Sequence, residues 1–127
     1  MKILIADDIQ GWVDYHSAIV SKMFPDADII TVNSAKEGYD KLMEYNDNPF
    51  DIIITDMQME EDFEPKYAGE WFIEQIQTFK NYSKTKIVIV SATYNISSIA
   101  ANYQVDYIKK QTARNFPEAY EILKEAY

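Results

Sequence analysis

Three runs of this chain are apolar almost without interruption: Ile3-Leu4-Ile5-Ala6, Ile52-Ile53-Ile54 and Ile87-Val88-Ile89-Val90. A strand with one face in water alternates apolar and polar residues. A continuous β-branched run wants cover on both faces, which is the condition of a parallel sheet flanked by helices. The sequence places strands at 2–6, 28–32, 51–55 and 86–90, with a weaker one at 105–108.

Helical patterns fall between them. The first spans about 10–24 and stops before Pro25. The second starts at Ser34-Ala35-Lys36-Glu37, a capping-box pattern, and runs to about Tyr45. The third carries Trp71, Phe72, Ile76 and Phe79 at helical spacing. The fourth, 96–102, is short. The last is expected to start near Pro117, which suits a first helical turn, and to present Ala119, Tyr120 and Leu123. Five strands alternating with five helices imply a doubly wound α/β domain with right-handed crossovers. In such sheets ligands bind beyond the carboxyl ends of the strands, at the switch point in strand order.

That edge is where the polar residues gather. The first strand runs into Asp7 and Asp8, the third into Asp56, the fourth into Ser91, and the fifth into Lys109 and Lys110. Clustered carboxylates beside an apolar core repel each other and call for a cation. Oxygen ligands at such a site suit magnesium, which keeps several waters and often bridges to phosphate. Acids, a hydroxyl and a lysine together suit phosphoryl transfer to a carboxylate, with aspartate as nucleophile and catalysis largely a matter of positioning.

Composition narrows the classes further. A formal charge of −9 argues against a nucleic-acid surface. With no cysteine there is no disulfide, zinc–thiolate or thiol chemistry. No apolar stretch is long enough for a membrane span, and the four-residue run at the start is too short for a signal peptide, so the expectation is a cytoplasmic protein. The single histidine, His16, reads as a surface or half-buried helix residue. At 127 residues and 47% apolar, the chain suffices for one domain with its own core and no second, output domain.

At this point the chain resembles the receiver domains of two-component response regulators, over essentially its whole length. The acidic pair matches Asp7 and Asp8, the phospho-accepting aspartate Asp56 at the end of FDIIITD, and the hydroxyl switch residue Ser91 in IVIVSA. In DYIKK, Tyr107 matches the rotating aromatic and Lys110, not Lys109, the invariant lysine. The resemblance implies a flavodoxin-like (βα)5 sheet of order 2-1-3-4-5. It implies magnesium on Asp8, Asp56 and the backbone carbonyl of Gln58, with Asp7 acting largely through water. It further implies phosphoryl transfer from a histidine kinase or a histidine phosphotransfer domain, and a switch on the face of the fourth helix, fifth strand and fifth helix that docks a downstream protein. Such a domain is no conventional enzyme, yet it catalyses its own phosphorylation and dephosphorylation.

Three positions depart from the family pattern. Glu60 stands where proline usually follows the acceptor, Gly69 comes about five residues late so that the loop 60–68 is enlarged and acidic, and Gln111 replaces the proline after the lysine. They leave open a rival of another class, an interaction module on the same fold that works without phosphorylation. An aspartyl phosphatase would want a second aspartate where Gln58 stands. A flavin domain would not place acids in the loop after its first strand.

Overall fold

The computed structural model describes residues 1–60 and 66–125 of the chain. Five strands, β1 (Lys2–Ala6), β2 (Asp28–Val32), β3 (Ile52–Thr55), β4 (Lys86–Ser91) and β5 (Asp106–Lys109), pair in parallel in the order β2-β1-β3-β4-β5. Between and after them lie α1 (Gln10–Met23), α2 (Ala35–Glu44), α3 (Ala68–Thr78), α4 (Ile96–Tyr103) and α5 (Lys110–Asn115). The expected doubly wound order 2-1-3-4-5 is therefore the observed one.

The uninterrupted apolar runs serve two cores. Leu4, Ile53, Ile87 and Ile89 point to one face and pack with Leu42, Phe72, Ile76 and Ile99 from α2, α3 and α4. Their neighbours Ile3, Ile5, Ile52, Ile54, Val88 and Val90 point to the other, against Val20 of α1, Ala113 of α5, and Tyr120 and Leu123. Successive strand residues face opposite sides, so a run apolar at every position is what two covered faces require. At the lower edge the buried Lys86 pairs with Asp106, tying β4 to β5.

The helix ends follow local chemistry. Ser34 caps α2, its Oγ accepting from Glu37 N at 3.1 Å. Helix α1 ends as Phe24 N donates to Val20 O at 2.9 Å, just before Pro25.

The C-terminal part differs from expectation. The last α-helix does not start near Pro117. It starts at Lys110, directly after β5, and ends at Asn115. Phe116, with φ −135° and ψ 79°, leaves helical geometry because the following proline crowds it. The chain then runs on as a 3-10 helix, Pro117–Lys124, which buries Tyr120 and Leu123. His16 also differs. It is 1% exposed, within the buried row Val13, His16 and Val20 of α1. A spacing of three and four residues puts these side chains on one helix face, and that face packs on the sheet.

Ile53 is fully buried in the centre of the sheet, whereas Tyr94 is 91% exposed. Ile53→Ala should lower unfolding free energy in urea by about 2–5 kcal/mol, while Tyr94→Ala should leave it near wild type.

Candidate functional site: an acidic pocket with a buried lysine

The carboxyl ends of β1, β3 and β5 bring three carboxylates and one ammonium together. Asp56 follows β3, and its backbone N donates to Ala6 O at 2.9 Å, so it sits beside the end of β1. Asp7 is held by Asp7 N to Val32 O at 3.2 Å, by Asn33 Nδ2 donating to Asp7 O at 3.1 Å, and by Ile9 N donating to Asp7 Oδ1 at 3.0 Å. Oxygens of Asp7, Asp8 and Asp56 all lie within 4.8 Å of one another. Asp7 and Asp56 are buried, and Asp8 is exposed.

Lys110 is the first residue of α5 and only 7% exposed. Its Nζ donates to Asp56 Oδ2 at 2.8 Å and lies 3.1 Å from Asp7 Oδ2. Asp56 Oδ1 accepts from Met57 N at 2.7 Å. The structure thus brings Lys110, and not Lys109, to the acids. Lys109 ends β5 with its side chain exposed.

His16 was not anticipated in this setting. Its Nε2 lies 3.7 Å from Asp7 Oδ2, and its Nδ1 shares a 2.6 Å hydrogen bond with Tyr120 Oη. The chain from Asp7 through His16 to Tyr120 links the site to the C-terminal 3-10 helix. The sequence signal was the V-x-x-H-x-x-x-V row of α1, which marks His16 as an inward position. Trp12, one turn earlier, takes two cations over its ring, Lys110 at 5.1 Å and Arg114 at 5.5 Å from the centroid.

These surroundings set the charges. Burial pushes the Asp7 carboxyl up, but the His16 contact, the Ile9 N–H and the Lys110 charge outweigh it and hold it below the usual range. The Asp8 carboxyl, on a residue that is exposed as a whole, is pushed up first by partial desolvation and then by the charges of Asp56 and Asp7. Burial disfavours the Lys110 cation, yet its hydrogen bond and charge interaction with Asp56, and then Asp7, raise its pKa.

The pocket above these groups, about 610 Å³, is lined by Asp8, Trp12, Asp56, Gln58, Lys110 and Arg114, among others. Gln58 is exposed at its rim. The donors fit a hard divalent cation: all are oxygens, and Asp7 Oδ2 is buried without a well-angled hydrogen bond despite its neighbouring cations. Ser91, at the end of β4, is buried, with its Oγ 2.8 Å from Thr93 Oγ1 and accepting from Thr93 N at 3.2 Å. It lines an adjoining cavity of about 240 Å³, together with Thr93, Tyr94, Lys109, Lys110 and Gln111. Tyr107, on β5, is 38% exposed.

Of the enlarged loop 60–68, residues 61–65 lie outside the described residues. Its end is tightly fixed. Gly69 N donates to Met57 O at 2.9 Å, and a Cβ on Gly69 would stand 2.1 Å from Asp56 O. Only glycine lets α3 come this close to the backbone of Asp56 and Met57.

The receiver-domain model of response regulators matches residues 3–121, and the chain belongs to that family. It is a receiver domain of the two-component response regulator class, which works with histidine kinases and downstream partners. Among curated proteins nothing matches the chain. Among solved structures it is similar to the phosphorylated cyanobacterial phytochrome response regulator RcpA, at 18% identity and TM-score 0.75, covering 97% of this chain and 88% of that one. It is similar to the Mn(2+)-bound form of response regulator Rcp1, at 15% identity and TM-score 0.73, covering 97% and 88%. The response regulator domain of Thermotoga maritima CheB shares 22% identity at TM-score 0.73, with 99% and 95% covered. At these identities the likeness is one of fold.

Because the folded state holds Asp8 protonated more readily than the unfolded chain, ionising it costs stability. That cost is absent below the ordinary carboxyl pKa, grows between it and the raised one, and is complete above the raised one. In metal-free buffer near neutral pH, Asp8→Asn should therefore resist urea better than wild type, and the gain should vanish on acidification below the carboxyl range.

Proposed function

We propose that this receiver domain accepts a phosphoryl group on Asp56 from a phosphohistidine of a histidine kinase or phosphotransfer domain, with magnesium, and signals through the face of α4, β5 and α5. The observation that carries the reading is the buried Lys110 Nζ, 2.8 Å from Asp56 Oδ2, inside a three-carboxylate cluster. A carboxylate oxygen of Asp56 attacks phosphorus, the P–N bond of the donor breaks, and the imidazole leaves as an acyl phosphate forms. Lys110 offsets charge on the phosphoryl oxygens and holds the carboxylate in place before transfer. Asp7, fixed by Ile9 N and flanked by His16, keeps Lys110 aimed.

Asp8, Asp56 and the Gln58 carbonyl would hold magnesium, with Asp7 beside them, and the ion supplies further positive charge there. Two of the similar structures support this reading, RcpA being phosphorylated and Rcp1 Mn(2+)-bound.

Ser91 is the hydroxyl that turns to the acyl phosphate, giving up its contact with Thr93, and Tyr107 moves inward in step. Exposed Tyr94 and Tyr107 on that side offer the aromatic surface that a downstream protein would read. The domain acts by protein contact, with no direct role for nucleic acid or membrane. Among the described residues no helix is long and apolar enough to cross a membrane. The cytoplasm, where such kinases present phosphohistidine, is the compartment that the reading carries.

Acetyl phosphate with magnesium should add one phosphate mass to the wild type and none to Asp56→Asn. Stoichiometric labelling of that variant would remove Asp56 as acceptor, and no labelling of the wild type would favour the phosphorylation-independent module. Lys110→Ala should impair phosphorylation or switching while Lys109→Ala leaves both nearly intact. Magnesium alone should raise the thermal midpoint of the wild type, because it binds the folded cluster and relieves its repulsion, and raise that of Asp8→Ala far less.

A further inference from the structure

We propose that Glu60 is a positioning residue for the metal subsite, fastening the segment that carries Gln58 to the N-terminus of α2. This rests on the reading above, in which Asp8, Asp56 and the Gln58 carbonyl hold magnesium. The Glu60 carboxylate accepts from two successive backbone amides, Ala35 N at 2.6 Å through Oε1 and Lys36 N at 2.9 Å through Oε2. These are the first two residues of α2. The opening amides of a helix have no intrahelical acceptor and carry partial positive charge, so a carboxylate bridging two of them makes a charge-assisted, two-point contact. Ser34 already serves the amide of Glu37, so the helix is capped by its own residue as well as by a distant one.

What sets Glu60 apart is where its backbone lies. It follows Gln58 by two residues, at the position where related domains carry proline. A proline ring restrains the chain by fixing its own φ. Glutamate restrains nothing by itself, and here its side chain does so by reaching 25 positions back in sequence. The acceptor-side backbone is then held at two points: at Met57 by Gly69 N of α3, and at Glu60 by α2. Between the two lies the carbonyl of Gln58. A ligand supplied by the main chain can be aimed only by holding the main chain, and residues that orient ligands affect metal affinity without touching the ion. The coupling is reciprocal: if the fastened segment favours the ion, the ion favours the fastening.

The experiment is a magnesium titration of the whole chain, followed by tryptophan fluorescence, with hydrogen exchange of the Ala35 and Lys36 amides measured with and without magnesium. Glu60→Ala should weaken magnesium binding about tenfold. It should also abolish the slowing of those two amides that magnesium produces in the wild type. Glu60→Gln, which keeps a neutral acceptor, should lose less, and it serves alone if the alanine variant does not fold. Ser34→Ala removes the other cap of the same helix and should leave magnesium affinity close to wild type. Unchanged affinity in both Glu60 variants, or an equal loss in Ser34→Ala, overturns the proposal, the second by showing that helix stability alone is at work. Asp8→Ala separates the two levels. If it abolishes magnesium binding while the Glu60 variants bind normally, only the role of Glu60 falls. If it too binds normally, the metal subsite itself is wrong.

Discussion

One ammonium between two carboxylates organises the upper edge of this domain. Lys110 Nζ lies 2.8 Å from Asp56 and 3.1 Å from Asp7, and all three residues are buried. Burying charge is expensive, and a paired cluster of this kind is rarely the most stable way to fill a core. The lysine holds the two carboxylates close, and the exposed Asp8 beside them bears the repulsion that remains. Every neighbouring element is arranged around that condition. The end of β1 presents the acid pair, β3 delivers Asp56, and α5 begins at the lysine itself.

Two-sided burial makes such a cluster possible. The β-branched runs of β1, β3 and β4 divide their side chains between two cores, and the sheet is rigid because both faces are packed. Side chains at its upper edge inherit that rigidity. On one face, His16 and Tyr120 extend the polar edge downward into the core, where a 2.6 Å hydrogen bond satisfies both rings. On the other, Gly69 lets α3 press against the backbone of Asp56 and Met57. The Lys66–Glu74 ion pair continues to Tyr103 Oη, which donates to Glu74 Oε2 at 2.7 Å, so α3 and α4 share a polar tie. Burial and the charge of Glu74 push the Tyr103 phenol well up, so it remains a donor.

Much of the fold was legible because it rests on local periodicity. The runs at 2–6 and 28–32 became strands with those very bounds, β3 and β4 shifted by one residue at one end, and β5 by one residue at both. The acid pair, Asp56, Ser91 and Lys110 were each legible as polar residues ending an apolar run. Less legible was anything decided by contact across the sequence. His16 read as a surface or half-buried residue because one histidine has no periodicity of its own, although its neighbours Val13 and Val20 do. Glu60 stood out only as an acid where proline is usual, and nothing in the sequence shows that its carboxylate meets the first amides of α2. The helix at 110–115 was missed because QTARNF carries a weak apolar pattern, and Pro117 drew attention to the later start.

The sequence by itself determined the class of fold and which polar side chains end its strands. Uninterrupted apolar strands between amphipathic helices admit few architectures, and parallel topology brings every strand's carboxyl end to one edge. The tertiary structure decided which lysine reaches the acids, by starting α5 at Lys110 so that this side chain turns inward while Lys109 faces out. It decided that His16 and Tyr120 back the site, and that α2 receives Glu60. The physical reason is the same in each case. Side-chain periodicity is a property of neighbours along the chain, whereas a buried charge is settled by whatever partners the packed elements bring within about 3 Å of it, where low dielectric makes the choice of partner decisive.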